Sequence, residues 1–132
     1  MSPLGGLEPC GPQGSGQVVL CSVDPLTQRD HSSVVVQAPP DAVLIVDGVF
    51  AFRPQINEHW DLRIWLDVDP ELSIQRGIAR DQDRQGTEGE AIHRSRYLPA
   101  ERLYIAEVDP AELAEVVIDN TAFDQPRIVR LQ

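Results

Sequence analysis

The residues of this sequence that are best suited to chemistry are a strand-end aspartate and a spaced set of arginines. Asp47 follows the apolar run Ala42–Val46 and precedes Gly48, within the stretch AVLIVDGVF. A continuous apolar run of this length predicts a strand that is buried on both faces, as in a parallel sheet. Ligands of open α/β sheets bind beyond the carboxyl ends of the strands, where a carboxylate can hold Mg²⁺ directly or through water. Aspartates at strand ends are also common in turns, so the spacing alone leaves a purely structural Asp47 open.

The second chemical feature is a run of arginines at helical spacing. Arg76, Arg80 and Arg84 recur every four residues, which would place them along one face of a helix. Between residues 76 and 102, six arginines stand against five acids, whereas the rest of the chain has five arginines and 16 acids. The planar, always charged guanidinium is suited to phosphate oxygens, so this segment predicts an anion site. A solvated helix face with Arg–Asp pairs, each stabilising by about 0.3–0.5 kcal/mol, explains the spacing equally well.

Alternating strand and helix signals predict the elements that must position these residues. Asp69 and Pro70 are typical of the N-cap and first residue of a helix, which would carry the arginines. Strands are predicted at 17–23, 33–37, 42–50, 61–68 and 115–119, with a last extended piece at 127–131. The first two predict a hairpin over residues 17–37. The alternation as a whole indicates an α/β fold with a mostly parallel sheet.

The predicted domain organisation is a flexible arm followed by one folded domain. Residues 1–16 contain five glycines and three prolines without periodicity, which is typical of an arm. Residues 17–132 are within the size of a single α/β domain.

Composition excludes several classes of protein. The formal net charge of -10 argues against nucleic acid or an anionic membrane as the main partner. The sequence has no lysine, so it contains no G-x-x-x-x-G-K-[ST] phosphate loop. Cys10 and Cys21 lack metal-ligand spacing, and no apolar run reaches the length of a membrane span. We therefore expect a soluble protein of the reducing cytoplasm.

The order of these motifs resembles the C-terminal half of the uridine kinase family of P-loop kinases. The resemblance extends from VLIVDGVFAF through DLRIWLDVDPELSIQRGIARD to AEVVIDN and covers roughly residues 20–122. It implies an incomplete doubly wound parallel sheet of the P-loop kinase type, with an N-terminal β-hairpin and a helical lid at about residues 76–96. It also implies ATP-dependent transfer of a phosphoryl group to a nucleoside hydroxyl, with Mg²⁺.

The resemblance assigns the catalytic roles to three residues. Asp47 takes the acidic place near the metal and the phosphates. Arg76 and Arg80 take lid positions that would neutralise the transferring phosphoryl group.

The resemblance also implies binding roles. Asn120 falls in the loop after the last strand, near where the family holds adenine. Arg84 stands one position before the place of a further lid arginine, where this sequence has Gln85. Both are assigned to the cofactor. Asp24 falls where the family has an acid in its nucleoside-binding hairpin. Arg53, which follows the predicted strand 42–50, is assigned together with Asp24 to the substrate.

Departures from the family pattern leave the acceptor and the activity open. Val23 and Gln28 replace the aromatic and the histidine that read uracil in the family, so another small alcohol is an alternative acceptor. The family's first strand, its phosphate loop and its catalytic base would lie before Met1. We therefore expect a truncated chain that binds ATP weakly, transfers nothing alone, and self-associates through exposed sheet edges. A non-catalytic binding domain derived from the kinase fold is the remaining alternative.

Overall fold

The described part of the chain falls into two compact units. The computed structural model describes residues 8–11, 13–19, 21–24 and 27–132, with the backbone alone given for residues 8 and 83–87. Part of the predicted arm and part of the predicted hairpin therefore lie outside the described residues. The units are Met1–Asp47 and Gly48–Gln132.

The N-terminal unit contains a short antiparallel ladder. Strand β1 (Gln17–Val18) pairs with β2 (Val36–Gln37), within the segment for which a hairpin was predicted. A 3₁₀ turn at Glu8–Cys10 precedes it, and an isolated bridge joins Val23 to Asp30. The ladder is shorter than the predicted strands 17–23 and 33–37.

Gly16 fixes the entry into this ladder. Its φ is +68°, in the left-handed region that side chains avoid. A Cβ at this position would also lie 2.6 Å from Nε2 of Gln37. The positive φ therefore favours glycine at this position, whereas the flexible Gln37 side chain could move away from a Cβ.

The predicted strand at residues 42–50 is wrong for this structure. Residues 42–48 form no ladder with any described strand, and the chain turns at residues 49–52. Val43 and Ile45 are 84% and 87% exposed. A strand buried on both faces needs neighbours for its N–H and C=O groups and cover for its side chains. The predicted burial is therefore wrong as well, because hydrophobicity alone does not show whether the described chain supplies the pairing strands and the cover.

The C-terminal unit is built on a three-stranded mixed sheet. Strand β3 (Ile64–Asp67) pairs parallel with β4 (Val116–Asp119), which pairs antiparallel with β5 (Arg127–Leu131). All three lie within segments that were predicted to be extended. The α/β class is confirmed, whereas the sheet is mixed rather than parallel because β5 returns antiparallel beside β4.

Helices connect these strands. They are α1 (Pro54–Asn57), α2 (Pro70–Ile92), a π-helix (His93–Tyr97), α3 (Leu98–Val108) and α4 (Pro110–Leu113). The predicted cap of α2 is confirmed, because Oδ1 of Asp69 accepts hydrogen bonds from the backbone N–H groups of Glu71 and Leu72. No helix among the described residues has the length and apolar character needed to cross a bilayer.

One face of the sheet carries the core. Phe52, Tyr104, Ala114 and Val117 form its buried cluster, and Trp65 of β3 packs against them. The Phe52 backbone N–H donates to the Tyr104 hydroxyl oxygen at 3.1 Å. Burial raises the pKa of this tyrosine. The loop before α1 is therefore tied to α3 through the core.

The opposite face of the sheet is apolar and is exposed on its two outer strands, whereas Val116 of the central strand is 9% exposed. Because the β3–β4 and β4–β5 registers pair Ile64 with Val116 and Val116 with Leu131, these side chains share a face. Four apolar residues on that face are 51–72% exposed: Ile64, Leu66, Ile128 and Leu131. Strand β3 is also an edge strand, since it pairs with β4 alone among the described strands.

Candidate functional site

The carboxyl ends of the two parallel strands lie side by side at one edge of the sheet. Asp67 and Asp119, the last residues of β3 and β4, are in register. The Asn120 backbone N–H donates to the Asp67 carbonyl at 3.1 Å, so the loop after β4 begins against the end of β3. This is the edge at which α/β sheets bind their ligands.

Arg76 of α2 reaches across to this loop. Its Nη1 donates to the backbone carbonyl of Asn120 at 3.0 Å and to the Asn120 Oδ1 at 3.2 Å. Its Nη2 donates to the Thr121 carbonyl at 2.8 Å, and the guanidinium lies 5.6 Å from the centre of the Phe123 ring. The structure thus brings together two residues that were predicted separately. Arg76 directs its donors at the loop and holds it in place.

The loop after β4 is also held by an ion pair. The Asp119 carboxylate accepts a hydrogen bond from the Thr121 backbone N–H at 2.9 Å and another from Nη2 of Arg127 at 2.7 Å. The Thr121 bonds and the Arg127 guanidinium lower the pKa of Asp119 to about 2. A depression of about 440 Å³ opens beside this pair, lined by Asp119, Thr121, Ala122, Gln125, Pro126 and Arg127.

Arg80 lies one turn further along α2 and stands in solvent. Its side chain is 74% exposed, and it pairs with the adjacent carboxylate of Asp81 through Nε–Oδ1 at 2.9 Å and Nη2–Oδ2 at 3.1 Å. Bonds from Arg80, and next from His93, lower the pKa of Asp81 to about 2. Arg76 is bound to the chain, whereas Arg80 is the exposed cation of the pair.

Arg53 lies at the start of α1. Arg53 is the N-cap residue of α1, and its guanidinium lies 4.6 Å from the centre of the Phe50 ring, a cation–π geometry. The side chain of Arg84 is outside the described residues.

Two predicted site residues belong to the N-terminal unit. Asp24 closes a turn, since its Oδ1 accepts from the Thr27 backbone N–H at 3.0 Å. Asp47 is exposed in the segment without a ladder. Within the described residues no three His, Cys, Asp or Glu side chains form a metal-binding group.

Asp81 and His93 are the residues that sequence reasoning missed. The histidines showed no catalytic or metal-binding pattern, and solvation was a sufficient explanation for Asp81. The two residues are 12 positions apart, which matches no local spacing rule. Their contact depends on α2 bending back between Asp81 and His93.

Comparisons with known proteins show which sequences this chain is similar to. The model of the Phosphoribulokinase / Uridine kinase family matches residues 26–122. The chain is similar to the uridine kinase of Deinococcus deserti, with 23% identity over 104 residues that cover 77% of this chain and 50% of that protein. The uridine kinase of Staphylococcus haemolyticus is 30% identical over 67 residues, or 50% of this chain and 32% of that protein.

A third relative gives the same coverage pattern. The uridine kinase of Staphylococcus aureus is 25% identical over 79 residues, which cover 59% of this chain and 38% of that protein. The chain thus spans from about a third to half of the length of these curated relatives. No solved structure gives a significant match.

Proposed function

This chain belongs to the phosphoribulokinase/uridine kinase family, and we propose that it is the lid and nucleotide-loop part of a uridine kinase-like phosphotransferase. The proposed reaction transfers a phosphoryl group from ATP to a hydroxyl of a nucleoside. The observation that carries the proposal is the bonding of Arg76 to the loop at Asn120, with Arg80 exposed one helical turn away. Together they link a fixed loop at the ligand-binding edge of the sheet to a solvent-facing cation.

Arg80 is the residue we propose for charge stabilisation. Phosphoryl transfer depends mainly on positioning and on neutralising charge on the phosphoryl oxygens. When bound, ATP with Mg²⁺ supplies the γ-phosphoryl group, and Asp47 is the carboxylate proposed to face that ion. The guanidinium of Arg80 is exposed and anchored on one side by Asp81, which leaves its other donors available to an anion.

The loop at Asn120 is the proposed adenine contact. Arg76 donates hydrogen bonds to the backbone carbonyl and the side-chain oxygen of Asn120, and Asp119 accepts one from the Thr121 backbone N–H. These bonds fix the loop without a ligand. A depression lies beside this loop. Arg76 therefore acts on the nucleotide through this loop in the proposal, rather than on the phosphoryl group.

The phosphate loop and the base are proposed to come from outside this sequence. A lysine-bearing loop is needed to hold the phosphates, and the sequence has no lysine. The acceptor hydroxyl must also give its proton to a base. We propose that the chain alone binds ATP weakly and transfers nothing, and that both parts belong to a preceding segment.

The acceptor is proposed to be a nucleoside, with another small alcohol as the alternative. Asp24 in its turn and Arg53 beside Phe50 are the proposed substrate contacts. The cytoplasm is the proposed location, in line with Cys10 and Cys21, which are free exposed thiols.

A non-catalytic binding domain remains a second candidate. The exposed apolar face of the sheet favours it, since large exposed apolar patches mark interaction surfaces.

The proposal is tested first on the chain itself. Isothermal titration with Mg-ATP is expected to give an affinity weaker than micromolar, and a coupled assay with uridine and cytidine is expected to give no turnover. Micromolar affinity with turnover would contradict the assignment of the phosphate loop to another segment.

The second test reads the DNA upstream of the Met1 codon. We expect a strand, the motif G-x-x-x-x-G-K-[ST], a helix and an aspartate-bearing segment, in frame or one frameshift away. In the protein that includes this segment, Arg80→Gln is expected to lower kcat by roughly 10²–10³-fold, as for loss of one charge-stabilising donor. An upstream region without a trace of the motif in any frame would place the binding domain ahead of the kinase.

A further inference from the structure

The lid contains a buried histidine that the proposed reaction does not use. His93, the first residue of the π-helix, is 4% exposed. The Tyr97 ring meets its ring edge-on at a centroid distance of 5.0 Å. A Cβ at position 77 would lie 2.6 Å from Cε1 of His93, so Gly77 leaves the space that the imidazole occupies. The ring is therefore held by packing in one orientation.

The buried ring donates a hydrogen bond to a carboxylate. Nε2 of His93 lies 3.0 Å from Oδ2 of Asp81. The lowered pKa of Asp81 keeps this group ionised, and an ionised carboxylate can only accept. Nε2 must therefore carry the proton.

The contact requires α2 (Pro70–Ile92) to bend back sharply between Asp81 and its C-terminal end. Twelve residues of straight helix would separate Asp81 from His93 by about 18 Å. Independent contacts agree, since the Glu71 carboxylate at the start of α2 lies 2.8 Å from Arg102 of α3 and 3.7 Å from Arg94 of the π-helix. The His93 bond thus joins two segments of the lid. π-Helical turns within α-helices are frequent at functional sites.

The same carboxylate holds Arg80. Adjacent residues on a helix do not face each other, so a two-point bond between Arg80 and Asp81 is not the default for this spacing. The Asp81 side chain is 17% exposed, against 74% for Arg80. Asp81 is therefore the partner that is fixed in place, and His93 fixes it from the buried side.

We propose that His93 is a positioning residue of the lid, which holds Asp81 so that Asp81 presents the Arg80 guanidinium in one orientation. The importance of that orientation for phosphoryl transfer rests on the proposed function, whereas the His93–Asp81–Arg80 chain itself does not. Loss of the Nε2 donor frees the carboxylate to turn toward solvent, and Arg80 then loses its two-point bond.

The test measures hydrogen exchange at Nε of Arg80 by ¹⁵N NMR in the full chain. His93→Phe keeps a flat ring and removes the donor, whereas His93→Gln places a donor near the position of Nε2. We expect exchange at Arg80 to rise about two- to fivefold in His93→Phe, the range of an exposed ion pair, and to return toward the wild-type rate in His93→Gln. His59→Phe, outside the lid, is the matched control and should leave the rate unchanged.

Two further measurements keep the test decisive. Long-range ¹H–¹⁵N spectra of His93 are expected to show a protonated Nε2, and Asp81→Asn is expected to accelerate Arg80 exchange even if His93→Phe does not fold. An unprotonated Nε2, or folded variants at both positions with wild-type exchange at Arg80, would overturn the proposal.

Titration with inorganic triphosphate separates this inference from the proposed function. A shift of the Arg80 Nε signal supports an anion-binding role for Arg80 and makes His93 a positioning residue for it. If triphosphate does not shift the Arg80 Nε signal while hydrogen exchange at Arg80 still depends on His93, the proposed role of Arg80 in anion binding is wrong. The positioning of Arg80 by His93 and Asp81 is then still supported. If Arg80 responds but its exchange is independent of His93, the positioning inference fails alone.

Discussion

The Arg76 guanidinium is hydrogen-bonded to Asn120 at both its backbone carbonyl and its side-chain oxygen, at 3.0 and 3.2 Å. This relationship joins the middle of α2 to the loop at the carboxyl end of β4. It explains why two residues 44 positions apart belong to one site. Because the bonds fix the loop rather than extend into solvent, they contribute to stability.

The first prediction concerns the two neighbouring lid arginines. Arg76→Gln removes three charge-assisted bonds to the loop, so we expect the free energy of unfolding to fall by about 1–3 kcal/mol. Arg80→Gln, the matched control on the same helix, removes only an exposed pair and should change stability much less. Urea unfolding followed by circular dichroism measures both. Equal losses at the two positions would show that Arg76 does not hold the loop.

The second prediction concerns the start of α2. Asp69→Ala removes the acceptor for the N–H groups of Glu71 and Leu72, and we expect a loss of about 1 kcal/mol in unfolding free energy. Asp69→Ser keeps a capping oxygen, so its loss of unfolding free energy should be only a fraction of that of Asp69→Ala. The comparison of the two variants in thermal and urea unfolding separates the cap from other effects of the substitution. An alanine variant as stable as the serine variant would contradict the prediction.

The caps and strands near the sheet were predictable, because their signals are local. Asp69 followed by Pro70 marks a helix start, and the short apolar runs around Leu66 and Val117 mark strands, wherever they occur in a fold. These signals depend on backbone sterics and side-chain spacing over a few residues. The family resemblance, which the comparisons confirm, also rested on the order of these local motifs.

The pairing of elements was less predictable, because it depends on residues distant in sequence. The apolar run around Ile45 predicts burial, yet burial requires neighbours that the pattern does not contain. The Asp81–His93 contact likewise depends on the chain turning back between them. The shared site of Arg76 and Asn120 needed the β3–β4 register, which no local rule provides.

The third prediction concerns acid pH. The pKa values of Asp81 and Asp119 are lowered from 3.8 to about 2, by bonds from Arg80 and His93 in one case and from Thr121 and Arg127 in the other. A depressed carboxyl pKa contributes stability that is fully present above the unfolded-state value and is lost as pH falls through the folded value. We therefore expect the unfolding midpoint in urea to decrease between about pH 4 and pH 2.

The matched variants for this prediction are Asp81→Asn and Asp119→Asn. Each should reduce the change in midpoint across this interval, because its carboxyl group no longer titrates. The effects should add in the double variant, since the two carboxylates share none of these partners. A double variant with the same pH dependence as the parent would show that other carboxyl groups govern acid unfolding.

The fourth prediction concerns the exposed face and edge of the sheet. Strand β3 pairs with β4 alone in the described part of the chain, and Leu66 of β3 is 54% exposed. An unpaired strand edge next to an exposed apolar face is a template for association with another chain. We expect the isolated chain to associate reversibly as its concentration rises, despite its net charge of -10. Sedimentation velocity over a concentration series measures this.

Leu66→Lys places a charge on that face and should shift the distribution toward monomer. Leu103→Lys is the matched control, because Leu103 is 58% exposed and belongs to α3 rather than to the sheet, and the chemical change is identical. Both substitutions lower the net negative charge by the same amount, so a general effect of charge would act on both variants alike. A difference between them therefore reports the sheet face itself. If the parent chain sediments as a monomer at all concentrations, or if both variants change association equally, then the edge of β3 and its apolar face are not the associating surface.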